Sequence, residues 1–442
     1  MIKGFDMKIV IVNTFYGRGS VGRITADLYA ELLRSGDVPF VAAGRGGIPE
    51  GIEGATIGNL PDFGAHVLKN FFQGGAGFGS ASSTKKFIAW LEEIKPDIIH
   101  LHNIHGFYLQ TELLFSYLKK ADIPVVWTLH DCWSFTGHCA YFDYVQPWAK
   151  RMQAESGQKD IKGEDMLSLS CDRWKEGCHD CPIHRSAYPY ALFKDNSKKN
   201  WVAKKNAYTG VKNLTIVTPS HWLADLVGKS YLSDYPVEVI HNGIDLDVFR
   251  PFSEKELALK KKQYAGYSHR RVLAVANQWE ERKGLTYFER LAEFLPANYT
   301  IEIVGLNKPQ VQLFKQKYKN GRVLPITRTE SVKALASLYR GADVYVNATL
   351  EDNFPTTNLE ALACGTPVVT FDTGGSSESL AKDCGIVVPK GDFDALAAAI
   401  EQVCETHPFS EKSCRARAGL YDKADCTKNY VKLYKRLAGE GS

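Results

Sequence analysis

The segment Glu351-Asp352-Asn353-Phe354-Pro355-Thr356-Thr357-Asn358-Leu359-Glu360-Ala361-Leu362-Ala363-Cys364-Gly365-Thr366-Pro367 joins an acidic, turn-forming stretch to a Leu- and Ala-rich helix. An apolar strand from Val368 to Phe371 follows. Asp352 and Glu360 bracket the helix start, whose first backbone N–H groups lack partners within the helix and favour an anion. Carboxylates grip sugar hydroxyls while a helix terminus holds phosphate. The segment therefore reads as a nucleotide-sugar site set between strands of an α/β sheet.

The flanking sequence repeats the same rhythm. After residue 241, β-branched runs at 271–276, 300–304, 344–347, 367–371 and 385–388 alternate with helical stretches near 284–294, 310–318, 331–340 and 394–404. Before it, strands are expected at 8–13, 39–43, 97–102, 124–129, 215–218 and 237–240, with helices at 20–34, 84–94, 112–120 and 221–231. Strands separated by helices imply parallel sheets with right-handed crossovers. The hinge-like His241-Asn242-Gly243-Ile244-Asp245 divides the two runs. The expected fold class is α/β, two doubly wound Rossmann-like domains over residues 1–241 and 242–424 that face each other across a cleft. Tyr430, Leu433, Tyr434 and Leu437 stand at helical spacing, so residues 425–442 are expected to form a helix reaching back to the first domain. Residues 131–189 break the rhythm. They form a Cys-rich insertion with a charged, loop-like segment at 150–164, expected to be a lid or a stapled element.

Bulk properties narrow the function. A chain of 442 residues suits two domains. With 44% hydrophobic and 24% charged residues it has the composition of a soluble globular protein. A formal charge of +4 argues against a nucleic-acid partner and against a strongly membrane-seeking surface. No apolar run approaches the roughly 20 residues that span a bilayer. Lys8 to Val12 is a short strand rather than a signal core, so a cytoplasmic location is expected. The ten cysteines would then stay reduced unless a metal claims them.

Four further constellations carry chemistry. Gly17-Arg18-Gly19-Ser20-Val21-Gly22-Arg23 follows the first strand and opens a helix, either as a phosphate-approaching loop or as a tight turn. Its glycine spacing does not fit a dinucleotide site. Asn277-Gln278-Trp279-Glu280-Glu281-Arg282-Lys283-Gly284 follows the first strand of the second run, and its Arg282 and Lys283 could neutralise a diphosphate leaving group. His130-Asp131 ends another strand, where the histidine either meets a substrate or is pinned by its neighbour. Cys178-His179-Asp180-Cys181 has the spacing of a zinc half-site that Cys139 and Cys171 would complete. Structural zinc, reduced thiols and disulfides are the three readings.

Over nearly its whole length the chain resembles retaining glycosyltransferases of the GT-B fold, family 4. The resemblance is carried by the Gly17–Arg23 loop, by Val239-Ile240-His241-Asn242-Gly243-Ile244-Asp245 and by the Asp352–Pro367 segment. Trp127-Thr128-Leu129-His130-Asp131-Cys132-Trp133 and the Cys-rich region resemble a subgroup that builds bacterial exopolysaccharides. The resemblance implies that Glu360 holds the ribose hydroxyls and that Asp352, or Glu351 in a register shifted by one, faces the donor sugar. Asn353 is carried over among the donor contacts. Backbone N–H groups of Phe354, Pro355's neighbours Thr356 and Thr357, Asn358 and Leu359 would contact sugar and phosphates. Lys283 matches the phosphate-binding lysine, and His130 a histidine touching the donor sugar. Gly19 and Ser20 lie beneath the diphosphate, and Gly374, Gly375 and Glu378 resemble a loop lining the cleft. The family commonly has an arginine where this chain has Asn277 or Gln278, and by the resemblance Arg282 would supply that charge.

The implied reaction moves a sugar from a nucleotide-diphosphate donor to a hydroxyl of a glycan or lipid-linked glycan, with no metal needed for the chemistry. Lys69, Phe71, Phe72, Phe78, Lys85 and Lys86 mix basic and aromatic types suited to a membrane-surface acceptor, or to plain helix packing. The rival readings are a GT-B nucleotide-sugar epimerase and a zinc-stapled, non-catalytic interaction protein.

Overall fold

A computed structural model describes residues 6–143, 170–263 and 269–439. The charged segment at 150–164 lies outside these residues. The chain divides into two compact units, Met1–His241 with Ala424–Ser442, and Asn242–Lys423.

The first unit is built on seven strands: β1 (Lys8–Phe15), β2 (Val38–Arg45), β3 (Gly54–Thr56), β4 (Ile98–Leu101), β5 (Val125–Thr128), β6 (Leu214–Thr218) and β7 (Val237–Val239). They lie in the order β3-β2-β1-β4-β5-β6-β7, all parallel. Successive side chains of a strand point to opposite faces. Val10 and Val12 thus enter one core with Leu101, Trp127 and Ile216, and Ile9 and Ile11 enter the other with Ile98, Val126 and Val217. The second core is closed by Leu28 and Leu32 of the helix Gly19–Arg34 and by Tyr430, Leu433 and Tyr434 of the helix Lys423–Leu437. The Tyr434 hydroxyl stands 2.6 Å from His100 Nδ1 on β4.

The second unit carries β8 (Arg270–Val275), β9 (Tyr299–Val304), β10 (Val323–Ile326), β11 (Val344–Asn347), β12 (Val368–Asp372) and β13 (Gly385–Pro389) in the parallel order β10-β9-β8-β11-β12-β13. The α/β class and the doubly wound sheets agree with the sequence reading, and eleven of the thirteen strands were foreseen within a residue or two. Two edge strands, β3 and β10, are additions. In each sheet the order reverses once, between β1 and β4 and between β8 and β11. Loops leaving the carboxyl ends of such a strand pair diverge and open a crevice, which is where open α/β sheets bind ligands.

Candidate functional site

In the second unit the loops after β8 and β11 bracket the reversal. The β8 loop makes a single turn over Glu281–Lys283 and ends at Gly284, whose φ is +73°. A Cβ on Gly284 would lie 2.0 Å from the Ala348 carbonyl oxygen, so only glycine lets the two loops touch. The contact is then sewn shut. Leu350 N–H donates to the Arg282 carbonyl (2.8 Å), and Arg282 Nη1 donates to the Glu351 carbonyl (2.6 Å). The result sets Lys283 Nζ on Asp352 Oδ2. Asp352 Oδ1 also accepts the Asn353 N–H at 3.0 Å. Burial alone would push the Asp352 carboxyl up, but Lys283 and Arg282 beside it and these hydrogen bonds hold it below its ordinary value. Burial lowers the Lys283 ammonium, and Asp352 opposes that shift only in part. Asp352 is supported from behind by Gly374, where a Cβ would fall 1.8 Å from the Asp352 carbonyl, and by the Gly375 N–H bonded to that carbonyl at 3.1 Å.

The helix Thr356–Ala363 begins beside this pair. Its N-cap position is Pro355, which supplies no side-chain acceptor, so the first-turn N–H groups are not capped from that position. Thr356 and Thr357 are half-buried, whereas Asn353, Phe354, Asn358 and Leu359 are buried. Asn358 accepts from Asn347 Nδ2 (2.9 Å) and donates to Ser379 Oγ (2.9 Å), which fixes the helix to β11 and to the turn after β12. Phe354 packs edge-on to Tyr421, and its carbonyl accepts from Asn242 Nδ2 at 3.1 Å. Glu360 is only 3% exposed and its Oε2 accepts the Tyr339 hydroxyl at 2.9 Å. Glu351 is wholly buried. Of the two adjacent acidic residues, Asp352 is the one brought to Lys283. Asn277 and Gln278 are exposed on the β8 loop, and Arg282 is engaged with the Glu351 carbonyl.

In the first unit Gly17 and Gly19, with φ of +67° and +69°, turn the chain into the helix Gly19–Arg34, and Gly19 and Ser20 are exposed at its start. His130, one residue beyond Leu129 at the end of β5, is half-buried. Its hydrogen-bond partner is His102 rather than its neighbour Asp131 (Nε2 to His102 Nδ1, 3.0 Å). Asp131 is taken by His105 Nε2 at 2.9 Å and by the Trp133 N–H at 2.9 Å.

Solved structures share the fold. A sucrose-phosphate synthase from Thermosynechococcus elongatus superposes with a TM-score of 0.65 at 18% identity, covering 98% of this chain and 99% of that one. HepE from Anabaena, in complex with UDP-glucose, gives 0.62 at 16% identity, covering 97% and 100%. At such identities the likeness establishes the fold. Residues 269–406 match the family described as glycosyl transferases group 1, and residues 21–158 match glycosyltransferase family 4. The chain is a GT-B glycosyltransferase. Among its relatives, the colanic acid biosynthesis glycosyl transferase WcaC of Escherichia coli strain K12 is 23% identical over 98% of this chain and 100% of its own length.

Several buried polar residues of this glycosyltransferase escape the sequence reading. Tyr339, the donor to Glu360, comes from the helix Val332–Gly341, where it reads as an ordinary core aromatic. His100 and His102 had a legible signal: two histidines two apart at a strand end share one face. Lys204 sits on a helix whose sequence looks solvent-facing. It is 1% exposed, donates to the Trp133 and Thr136 carbonyls (2.7 and 3.0 Å), and burial lowers its ammonium to about 7.

Cys139, Cys171, Cys178 and Cys181 come together, lining one cavity with His138 and His179. Cys178 Sγ accepts the Gly137 N–H at 3.1 Å, and burial pushes the Cys178 thiol up to about 11 and the Cys181 thiol to about 12. Among the described residues, however, no three His, Cys, Asp or Glu side chains stand round one point closely enough to hold a metal ion. Cys139, Cys171, Cys178 and Cys181 thus share one cavity without closing round a single point. The ten cysteines are all free thiols.

Proposed function

We propose that this glycosyltransferase moves a hexosyl group, with retention at the anomeric carbon, from a nucleoside-diphosphate donor to a hydroxyl of a glycan or lipid-linked glycan. The setting proposed is bacterial surface polysaccharide synthesis. The observation that carries the reading is Lys283. It is a largely buried cation at the sheet's reversal point, beside a helix start with no side-chain cap. As the glycosidic bond breaks, the diphosphate gains negative charge and the sugar ring gains positive charge. Lys283 and the first N–H groups of the helix Thr356–Ala363 would stabilise the departing phosphate, a task that needs no metal. Asp352 would orient the lysine and approach the sugar, and Glu360 would hold the ribose hydroxyls with Tyr339 fixing its carboxylate. Gly19, Ser20 and His130 are proposed as donor contacts from the first unit.

The donor class is supported by HepE, whose structure is described with UDP-glucose, and the polysaccharide setting by WcaC, whose name refers to colanic acid. Thermal-shift titration with UDP-, GDP- and ADP-sugars tests the reading, since a true donor stabilises the protein through binding. The outcome that sinks it is stabilisation by none of them together with unchanged transfer in Lys283→Ala and Glu360→Ala.

The acceptor side is proposed to meet the inner face of the plasma membrane. Phe72 and Phe193 are 52% and 64% exposed and stack at 5.2 Å, with Lys69 nearby on the same helix as Phe72. Exposed stacked aromatics beside lysines suit an anionic lipid interface. No helix among the described residues is long and apolar enough to cross a membrane. Cosedimentation with anionic vesicles should fall in Phe72→Ser/Phe193→Ser, and equal binding by both proteins would remove the membrane proposal. Zinc at Cys139, Cys171, Cys178 and Cys181 also stays a proposal, supported by their common cavity. Metal analysis of purified protein decides it: one zinc per chain supports the staple, and a small fraction of that dismisses it.

A further inference from the structure

We propose that His102 is a positioning residue that holds His130 as a neutral imidazole with its proton on Nδ1. The functional consequence rests on the donor reading of His130; the tautomer itself does not.

His102 follows β4 and is 1% exposed. Its ring lies nearly parallel to that of His130, at 15°, with Nδ1 3.0 Å from His130 Nε2. Its other nitrogen, Nε2, is buried without a hydrogen-bond partner. An orphaned buried N–H is rarer and costlier than an unused lone pair. The His102 proton therefore sits on Nδ1 and is donated to His130 Nε2. A nitrogen that accepts carries no proton, so the proton of neutral His130 is on Nδ1.

The same geometry opposes charging His130. An imidazolium carries N–H on both nitrogens, so His102 Nδ1 would have to accept. Its own proton would then move to Nε2, where no partner waits. The surroundings, taken together, act in the same direction. His100 offers no acceptor, because its Nδ1 meets the Tyr434 hydroxyl and its Nε2 meets Thr128 Oγ1 at 2.8 Å. Asp131, the anion close by among the described residues, favours a charged His130 but is shared with His105, which opposes it. Burial, with His105 acting in the same direction, outweighs Asp131 and lowers His130 to about 4.

Neutrality has a use. Among the described residues His130 Nδ1 has no hydrogen-bond partner, and the side chain is half-buried, so it presents a single N–H donor. Such a donor bonds a sugar hydroxyl without putting a positive charge beside a ring that itself becomes positive as the diphosphate leaves.

The test uses the full chain labelled with 15N-histidine, with long-range 1H–15N spectra assigned through His130→Gln. The expected wild-type result is the Nδ1–H form of His130, not titrating between about pH 8 and about pH 5.5. His102→Phe keeps a ring but removes the donor, so His130 should lose that tautomer preference and titrate nearer its ordinary value. His102→Asn, which returns an N–H near the Nδ1 position, should restore the wild-type pattern and serves alone if the Phe variant does not fold. An Nε2–H or imidazolium signal for wild-type His130 at neutral pH overturns the proposal. If the Nδ1–H form is found but His130→Gln leaves donor KM and kcat unchanged, the positioning role stands and the donor contact of His130 falls.

Discussion

Replacing Lys283 with Met keeps the length of the side chain and deletes its charge. Asp352 then loses its strongest partner while keeping the Asn353 N–H at 3.0 Å. Removing one member of a fully buried ion pair costs about 3–5 kcal/mol. Here the two side chains are 23% and 15% exposed, so water recovers part of the loss. A cost of about 2 kcal/mol follows, or a Tm lower by roughly 4–8 °C for a unit of this size. Adding Asp352→Asn removes the stranded charge, so the double variant should regain at least about 1 kcal/mol, a coupling that a double-mutant cycle reads directly. Affinity for the nucleoside diphosphate should behave otherwise. Losing one charge-assisted contact weakens Kd by about 10- to 100-fold, and Asp352→Asn cannot return it. Thermal melts and isothermal titration with the nucleotide that stabilises the wild type measure both quantities. An unchanged Tm in Lys283→Met would show that the pair contributes nothing to folding. Recovery of nucleotide affinity in the double variant would show that the lysine acts only through Asp352.

Gly284→Ala must adopt φ +73° with its Cβ against the Ala348 carbonyl; it should lose more than the ~1–2 kcal/mol of a left-handed residue alone, read by chemical denaturation. Tyr339→Phe deprives the buried Glu360 carboxylate of its hydroxyl donor while keeping the ring, so about 1.5–3 kcal/mol of stability should go, and the donor KM should rise more than kcat falls. The Asp352 carboxyl is depressed in the folded state, so its contribution is complete above the unfolded carboxylate range and disappears as pH falls through its lower folded value. Denaturation midpoints measured from pH 7 downward should therefore fall less steeply in Asp352→Asn than in the wild type.

Much of the fold is written in β-branched runs. Val10, Ile11 and Val12, or Ile303 and Val304, are buried on both faces of parallel sheets and so give near-continuous apolar stretches. The two strands that were not legible are both sheet edges. Gly54-Ala55-Thr56 has almost no apolar side chain to bury, and Val323–Ile326 contains Pro325, which an edge strand tolerates and a central one does not. The helix Leu60–Gln73 was hidden by Pro61 and Gly64, although Pro at its first turn fits a helix start and Asn59 caps it by accepting the Asp62 N–H. In the candidate site, Lys283 and Asp352 were legible because each sits just after a strand of the same sheet. What no local pattern contains is the partner from elsewhere in the chain. Tyr339 reaches Glu360 from another helix, and His102 meets His130 from the neighbouring strand, pairings that exist only once the sheet has formed.

The helix Lys423–Leu437 lends Tyr430, Leu433 and Tyr434 to the core of a unit whose other residues precede Asn242. On the ribosome this makes the first unit wait. Its β1 and β4 emerge early, yet the part of that core closed by Tyr430, Leu433 and Tyr434, His100 included, stays open until some 180 further residues have been made, which at ordinary elongation rates takes roughly 10–40 s. The second unit, made of one uninterrupted stretch, can finish folding first. For that interval the nascent chain presents an open apolar face, a natural docking point for a chaperone. Synthesis stalled between residues 241 and 424 should leave a first unit that cannot close.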